Sequence, residues 1–316
     1  MSNATVSRLG QANGSGSADA LFLKTFSGEI LAAFKKQNKM LDMTFVKTIA
    51  SGKSSQFPVT NTIASSYHTP GAEITGTAIN HNEKVINIDD MLIAHAFLAE
   101  IDELKNHYSA RAIYSEEMGN SLANKVDQHL LQLMVLAARA SANVSGGNGG
   151  SVITDADANT NAASLIASIF EAAEDLDDKN VPETDRFCVV NPNIYYNIVQ
   201  NDKILNRDFG GANGVYADGQ VLKVAGINIV KANTATAAFT NRSSDSTTGQ
   251  NNTYVGNFST TVATVFHKSA IGTLKLKDLA LETTYDPRRL GTLMVARMAL
   301  GSGILRPECA VEIKTS

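Results

Sequence analysis

The longest regular pattern of apolar positions lies between residues 108 and 141. Apolar side chains recur there at spacings of three and four, which is typical of an amphipathic α-helix. The pattern predicts a helix longer than the average in globular proteins. A glycine-rich stretch at 145–151 predicts a flexible break after it. The stripe consists of Met118, Leu122, Val126, Leu130, Leu133 and Ala137, and Glu116, Glu117 and Asp127 are expected to face elsewhere.

A second pattern, with a period of two, flanks a segment rich in turn-forming residues. Phe57 and Val59 alternate with polar neighbours, as do Ile86 and Ile88. Such alternation predicts two strands, so residues 51–90 are expected to form a long hairpin. Pro58 lacks a backbone donor and restricts its strand to an edge. A two-stranded ribbon is marginally stable alone in water, and we expect this hairpin to lie on a neighbouring subunit.

The remaining pattern predicts short helices and strands in an α+β arrangement with mostly antiparallel strands. An amphipathic helical pattern occupies residues 19–50, and Arg288 to Ala299 and Glu308 to Ile313 are expected to return to the long helix. Residues 241–252 are polar and predict a surface loop. Further helices are predicted at 162–176 and from Pro192 through Ile198, further strands at 187–190, 254–258, 262–267 and 273–282, and a hairpin at 221–231 turned at Ala225-Gly226.

The charge of the chain is low and unevenly placed. A net charge of −4 over 316 residues gives no general basis for binding nucleic acid, which needs clustered Lys and Arg. The segment from Lys24 to Lys53 is net positive, whereas Glu73 to Asp127 is net negative. Charge complementarity steers assembly, so the basic segment is a candidate to lie on the acidic region of an adjacent subunit. Two independently solvated faces are the alternative.

The two cysteines, Cys188 and Cys309, predict free, buried thiols in a reducing cytosol. The amino-terminal residues lack the apolar core of a signal peptide, and no stretch has the roughly 18 to 20 apolar residues of a membrane span. A secreted or membrane protein is therefore not expected.

Motifs for catalysis or metal binding are weak. Ser51-Gly52-Lys53-Ser54 looks like the end of a phosphate-binding loop, but Lys47 stands where the motif needs glycine. The histidines and cysteines lack metal-ligand spacing. Paired carboxylates at Asp89-Asp90 and in Glu100, Asp102 and Glu103 could serve acid–base chemistry, although acid runs are usually solvated faces. We expect no catalytic residue, no metal and no cofactor.

Several dense local motifs follow one another in a characteristic order. They include Leu21–Glu29, Ser51–Val59, Tyr67–Gly71, Glu83–Asp89, Asn106–Tyr108 with Arg111 and Tyr114, Val181-Pro182 with Asp185-Arg186, His267–Glu282 and Leu305–Glu308. In this order and at these separations they resemble the major capsid proteins of T-seven-like short-tailed bacteriophages. The similarity extends from Leu21 to Ile313. This family has the Hong Kong 97 capsid fold.

The resemblance implies a division of the chain. Residues 1–50 correspond to an amino-terminal arm and 51–90 to the extended loop. Residues 91–144 would carry the long spine helix of the peripheral domain, 145–285 the axial domain, and 286–316 the closing strands of the peripheral domain. Residues of the arm and loop are the expected subunit interface, namely Lys35, Lys36, Lys39, Lys53, Phe57, Pro70, Gly71 and Lys84.

The function implied is structural. Copies would form pentamers and hexamers of an icosahedral head, usually of triangulation number seven, that encloses double-stranded DNA without sequence-specific binding. A scaffolding protein and one portal vertex would take part in a procapsid that expands on maturation, in the host cytoplasm. Whether a cement protein decorates the shell is open. An encapsulin-type compartment for enzyme cargo and a soluble hydrolase are the alternatives.

Overall fold

A computed structural model gives the fold of the chain. It describes residues 38–61, 63, 65–74, 76, 78–101, 110–200, 214–215, 220–221, 223–244 and 251–316. Most of the helical pattern expected within residues 19–50, together with Lys35 and Lys36, lies outside them. At the end of that segment Phe45–Thr48 is strand β1, not helix.

The chain contains runs of strands separated by single helices, which is consistent with the predicted α+β class. The helices are α1 (Ala110–Ala138), α2 (Ala162–Asp178), α3 (Pro192–Val199) and α4 (Thr234–Ala238). The strands after β1 are β2 (Ser54–Thr60), β3 (His81–Asn87), β4 (Leu92–Ala99), β5 (Ser151–Thr154), β6 (Arg186–Val190), β7 (Gly214–Val215), β8 (Gln220–Val221), β9 (Lys223–Val224), β10 (Ile227–Lys231), β11 (Thr261–His267), β12 (Ile271–Asp286), β13 (Gly291–Ile304) and β14 (Ala310–Lys314).

Helix α1 confirms the predicted long helix, and every residue of its apolar stripe is buried. Glu116 and Glu117 are exposed, as expected. Asp127 was expected to face elsewhere, but it is buried, and its carboxylate accepts the backbone N–H of Met40 at 3.2 Å. The expectation was wrong because the carboxyl-terminal half of α1 is buried nearly all round, so that a polar residue there must find a partner inside the protein.

A six-stranded mixed sheet has the order β5-β14-β11-β6-β10-β9. The pairs β14–β5 and β10–β6 are parallel and the other three are antiparallel, in agreement with the predicted majority of antiparallel strands. The turn between β9 and β10 is at Ala225-Gly226, as predicted, and both residues have positive φ, which glycine adopts readily. The expected strand at 254–258 was wrong: that segment has a single bridge, from Asn257 to Asn241.

Side chains fix the starts of the two helices that accompany this sheet. Asn161 accepts the N–H of Ala163 at the start of α2, and Asn191 accepts that of Ile194 at the start of α3. Pro192 occupies the first turn of α3, where its missing N–H costs no helical hydrogen bond. Both helices begin where the sequence predicted, and they end at Asp178 and Val199, slightly beyond the predicted ends at Leu176 and Ile198.

A second sheet has the order β1-β12-β13-β4. Strand β1 runs parallel to the start of β12, with Phe45 opposite Gly272. Strands β13 and β4 are antiparallel, with Gly291 opposite Ala99. A side chain at Gly291 would meet the backbone oxygen of Leu98 at 2.3 Å, so the close approach of these two strands requires glycine there.

The contacts within the chain divide it into two compact units. The described part of the first is mainly Asp90–Val126 and Lys277–Leu300, and the second comprises Met40–Asp89, Asp127–Leu276 and Gly301–Ser316. The second unit holds the six-stranded sheet and the hairpin β2–β3. Cys188 and Cys309 lie in it as free, buried thiols, as predicted, and burial raises the pKa of Cys188 to about 12.

Candidate subunit-interaction surface

The hairpin predicted at 51–90 is present as β2 and β3. The two strands pair antiparallel from Ser54 opposite Asn87 to Thr60 opposite His81. Pro58 lies opposite Glu83, in a two-stranded ribbon where both strands are edges. Lys84 lies opposite Phe57 and is half-buried.

The inner end of the hairpin is anchored by apolar packing in its own chain. Ile86 and Ile88 are buried. A Cβ built on Gly272 or on Gly303 would come within 3.0 Å of the Ile86 side chain. Glycine at these two positions therefore leaves the space that Ile86 fills. This packing holds the end of β3 against the rest of the second unit.

Phe57 is held by a small cluster at the same end. The Phe45 ring meets it edge-on with centroids 6.2 Å apart, and the ammonium of Lys47 lies 5.1 Å from its centroid. Lys47 also donates a hydrogen bond to the Ser55 hydroxyl at 3.0 Å. Aromatic edge contacts and cation–π contacts each stabilise by roughly 0.5–1.5 kcal/mol. Phe57, a predicted interface residue, is thus half-buried within its own subunit.

Farther along the hairpin, three asparagine amides fix it to the loop that follows α1. Asn61 and Asn80 both donate to the carbonyl oxygen of Ser145, at 3.2 and 3.0 Å, and Asn82 donates to that of Asn143. The backbone N–H of Asn61 also bonds the carbonyl of Asn80 at 3.1 Å, which extends the ladder by one pair.

Beyond this pair, between residues 63 and 79, every described residue is exposed; we call this segment the tip. Tyr67 is fully exposed, Ile74 is 80% exposed and Ile63 is 62% exposed. The tip turns at Pro70-Gly71, where Ala72 N–H bonds the carbonyl of Thr69 at 3.1 Å and Gly71 has a φ of +87°. Proline followed by a glycine of positive φ is the signature of a type II turn.

The sequence-predicted interface residues therefore fall in different places. Pro70 and Gly71 form the turn of the tip, and Phe57 and Lys84 face each other across the ladder. Lys53 is exposed at the start of the hairpin, and its carbonyl accepts the Ile88 N–H at 2.8 Å. Lys39 is exposed ahead of β1. Five of the predicted interface residues therefore lie on one hairpin.

Exposed apolar side chains also occur in the first unit. Ile93 and Phe97 alternate along β4, and Tyr285 and Leu290 flank the turn from β12 to β13. The Tyr285 hydroxyl donates to Glu100 at 2.8 Å, which raises the pKa of Tyr285. Glu100 is one of the carboxylates that the sequence offered for acid–base chemistry. In the structure its side chain accepts a hydrogen bond from a surface tyrosine.

Asp89, another of those carboxylates, is a structural anchor. It accepts the backbone N–H groups of Asn251 and Asn252, at 3.0 and 2.9 Å, and the hydroxyl of Tyr254. Burial raises the pKa of Asp89, and these hydrogen bonds act against the rise. The Tyr254 ring stacks on His129 with centroids 4.4 Å apart. The network fixes the end of the hairpin segment to the second unit.

The sequence did not indicate this role for residues 251 and 252. They end the polar loop expected at 241–252, but their side-chain amides donate to the carbonyls of Ile88 and Asn87, at 2.7 and 2.8 Å. The sequence shows only two asparagines close to Tyr254. This local pattern does not indicate that they bond Asp89, more than a hundred residues earlier in the chain.

The other motifs weighed for chemistry show no convergent site in the described part of the chain. Lys53 of the phosphate-loop-like motif is exposed, and Asp102 and Glu103 lie outside the described residues. Among the residues that the structure describes, there is no group of three or more His, Cys, Asp or Glu that could hold a metal ion. Nor does any helix described here have the length and apolar character to cross a membrane.

The comparisons with known proteins agree with one another. The model of the Gp10A-like major capsid protein family matches residues 56–314. The major capsid protein of Escherichia phage T7 is 31% identical over 317 aligned residues, which cover 92% of this chain and 90% of that protein.

Solved structures match over similar lengths. The capsid structure of the cyanophage P-SCSP1u is 45% identical with a TM-score of 0.80, and the match covers 100% of this chain and 99% of that one. The mature capsid of bacteriophage PhiM1 is 20% identical with a TM-score of 0.72, covering 88% and 87% of the two chains, which shows likeness of fold alone.

Proposed function

Because the chain belongs to the Gp10A-like major capsid protein family, we propose that its copies assemble as pentamers and hexamers into an icosahedral head that encloses double-stranded DNA. The family and the Hong Kong 97 capsid fold are those of structural shell proteins, and the protein is a component of the virion. The resemblance to the major capsid proteins of T-seven-like bacteriophages, which rested on the sequence motifs, is thereby confirmed.

One observation carries the assembly proposal. The tip of the hairpin exposes Ile63, Tyr67 and Ile74 and has no apolar support among the described residues of its own chain. A two-stranded ribbon of this kind is marginal in water, and each apolar side chain that is covered stabilises a contact by roughly 1.5–3 kcal/mol. A second copy of the chain that covers the tip would stabilise the contact in this way. A closed shell would repeat the contact at many equivalent positions.

The packing at the base of the hairpin also supports the assembly proposal. Phe57 and Ile86 hold the inner end against the chain's own second unit. The hairpin is therefore anchored at its base and has an exposed, partly apolar tip. A projection that is fixed at one end and apolar at the other suits a contact between neighbouring subunits, with Pro70 and Gly71 at the surface that meets the neighbour.

Charge is the second element of the proposal. Lys39 is exposed at the end of the basic segment, and Glu116 and Glu117 are exposed on α1. Lys35 and Lys36, in the same basic segment, lie outside the described residues. We assign the basic segment to the acidic region of an adjacent copy, where it would fix register and speed association more than it adds affinity.

The partners beyond the chain itself follow from the family's assembly. A scaffolding protein would direct the first closed shell, a portal protein would occupy one vertex, and expansion would accompany DNA entry. The net charge of −4 fits a container that holds DNA by enclosure.

Electron microscopy of the purified full-length chain, expressed with and without a candidate scaffolding protein, tests the proposal. Closed icosahedral particles with the scaffold and aberrant ones without it are the expected result. Uniform shells that form alone around a co-purifying enzyme would favour a cargo compartment. A small discrete oligomer under both conditions would contradict shell formation altogether.

A further inference from the structure

The support that the hairpin receives from its own chain ends at a defined place. Asn61 and Asn80, which form the last pair of the ladder, both donate their side-chain amides to Ser145. Asn82 donates to Asn143 next to them. Beyond this place lies only the exposed tip. The three amides, which we call the asparagine latch, are thus the outermost contacts seen between the hairpin and the rest of its unit.

The loop that receives the latch is itself fixed. The Asn143 side chain donates to the carbonyl of Leu305, Val144 is buried, and Gly147 N–H bonds the carbonyl of Val144 at 3.0 Å. Gly146 has a φ of +80°, and a Cβ on it would lie 3.2 Å from the Asn61 amide nitrogen. The loop therefore presents two carbonyls at a fixed position and leaves room for Asn61.

The latch differs in kind from the packing at the base of the hairpin. Asn80 and Asn82 are exposed, so water can replace their hydrogen bonds, and a bond of this kind contributes little net stability. By contrast, moving Ile86 would open space in the core. The latch can thus determine the direction of the outer hairpin without determining whether the chain folds.

We propose that Asn61, Asn80 and Asn82 are positioning residues that set the direction in which the tip leaves its own chain, and so select where it meets a second copy. The part concerning the second copy rests on the proposed function. The latch itself does not, because all its atoms belong to one chain.

The experiment compares the triple variant Asn61→Ala/Asn80→Ala/Asn82→Ala with a matched control, Thr60→Ala/His81→Ala, which alters the adjacent exposed pair of the same ladder. A second triple variant with Asp at the three positions keeps the side-chain size and removes the amide hydrogens. Gly146→Ala perturbs the latch from the loop side. Amide hydrogen exchange of the unassembled full-length chain and electron microscopy of assembled particles are the two readouts.

We expect both triple variants to speed exchange of the backbone N–H at position 61 roughly tenfold, while exchange in β3 near Ile86 stays as in the unaltered chain. Their particles should vary in size or fail to close, and Gly146→Ala should behave in the same way. The control pair should do neither.

Unchanged exchange in both triple variants would overturn the latch. Faster exchange with particles of unaltered size and uniformity would overturn its positioning role. If the unaltered chain forms no particles under any condition, the proposed function fails, and the exchange result then decides the latch independently.

Discussion

Both oxygens of the Glu312 carboxylate accept a hydrogen bond from the Arg139 guanidinium, each at 2.6 Å. Glu312 is completely buried, whereas the Arg139 side chain is 31% exposed. The Thr261 hydroxyl donates to the same carboxylate at 2.6 Å, and Arg139 also donates to the carbonyl of Asn257 at 2.7 Å. The hydrogen bonds to Glu312 raise the pKa of Arg139. This pair connects the segment that follows α1 to β14.

Substituting Arg139→Met should lower the free energy of unfolding by about 3–5 kcal/mol, because it leaves the Glu312 charge buried without its bidentate partner. Denaturant unfolding of the unassembled chain measures this loss. Arg139→Lys keeps the charge but not the paired geometry, and should cost less. The double variant Arg139→Met/Glu312→Leu should recover part of the loss. A change for Arg139→Met below about 1 kcal/mol, as for a surface ion pair, would contradict this role.

Replacing Tyr67 and Ile74 by serine should abolish or distort shells without changing the stability of the unassembled chain. Both side chains are exposed in the tip, so the fold loses little, while a subunit contact would lose apolar area of roughly 25 cal/mol per Å². Electron microscopy of particles and unfolding of the unassembled chain are measured together. Ser66→Ala, in the same exposed tip, is the control. Normal shells from the serine variant would remove the tip from the interface.

Reversing the charge of the basic segment, with Lys35→Glu, Lys36→Glu and Lys39→Glu together, should slow particle formation at low salt. Charge complementarity acts mainly on association rate, and added salt should reduce the difference between the variant and the unaltered chain. Light scattering during assembly measures the rate. A variant with arginine at the same three positions keeps the charge and should assemble normally. Equal rates at low salt would favour two independently solvated faces.

Stability should fall on mild acidification through His267. Its Nδ1 accepts the N–H of Ser269 at 3.2 Å, and burial lowers its pKa below 6.5, helped by the charges of Arg186 and Arg306 and opposed by that of Asp185. The unfolded state thus binds this proton more readily, and the stabilisation is lost as pH falls from 6.5 through the lowered pKa.

His267→Gln cannot titrate, so the advantage of the unaltered chain over it should be larger at about pH 7.5 than at about pH 5. Denaturant unfolding at both pH values gives the two differences in free energy. A difference that stays constant, or that grows on acidification, would show that protonation of His267 is not disfavoured in the folded chain.

Local patterns in the sequence predicted much of the fold because they depend on short-range periodicity. The apolar stripe from Met118 to Ala137 predicted α1 and its buried face, and the alternation at Phe57 and Ile86 predicted the hairpin. Asn191-Pro192 likewise predicted the start of α3. In each case the relevant neighbours are a few residues apart or on an adjacent strand.

What the sequence could not predict depends on distant partners. Asp127 is polar, and its partner inside the protein, the backbone N–H of Met40, is 87 residues earlier in the chain. Asn251 and Asn252 looked like members of a solvated loop until the structure placed Asp89 beside them. The latch was hidden for the same reason, because nothing in the local sequence of Asn80 indicates the carbonyl of Ser145.

A cryo-electron microscopy reconstruction of particles assembled from the unaltered chain tests the central proposal most directly, because it shows what covers the tip of the hairpin. We predict that Tyr67 and Ile74 lie within about 4.5 Å of apolar side chains of a neighbouring copy, and that the base of the hairpin remains against its own chain. A closed shell in which both side chains remain in solvent would contradict the proposal that the tip carries assembly.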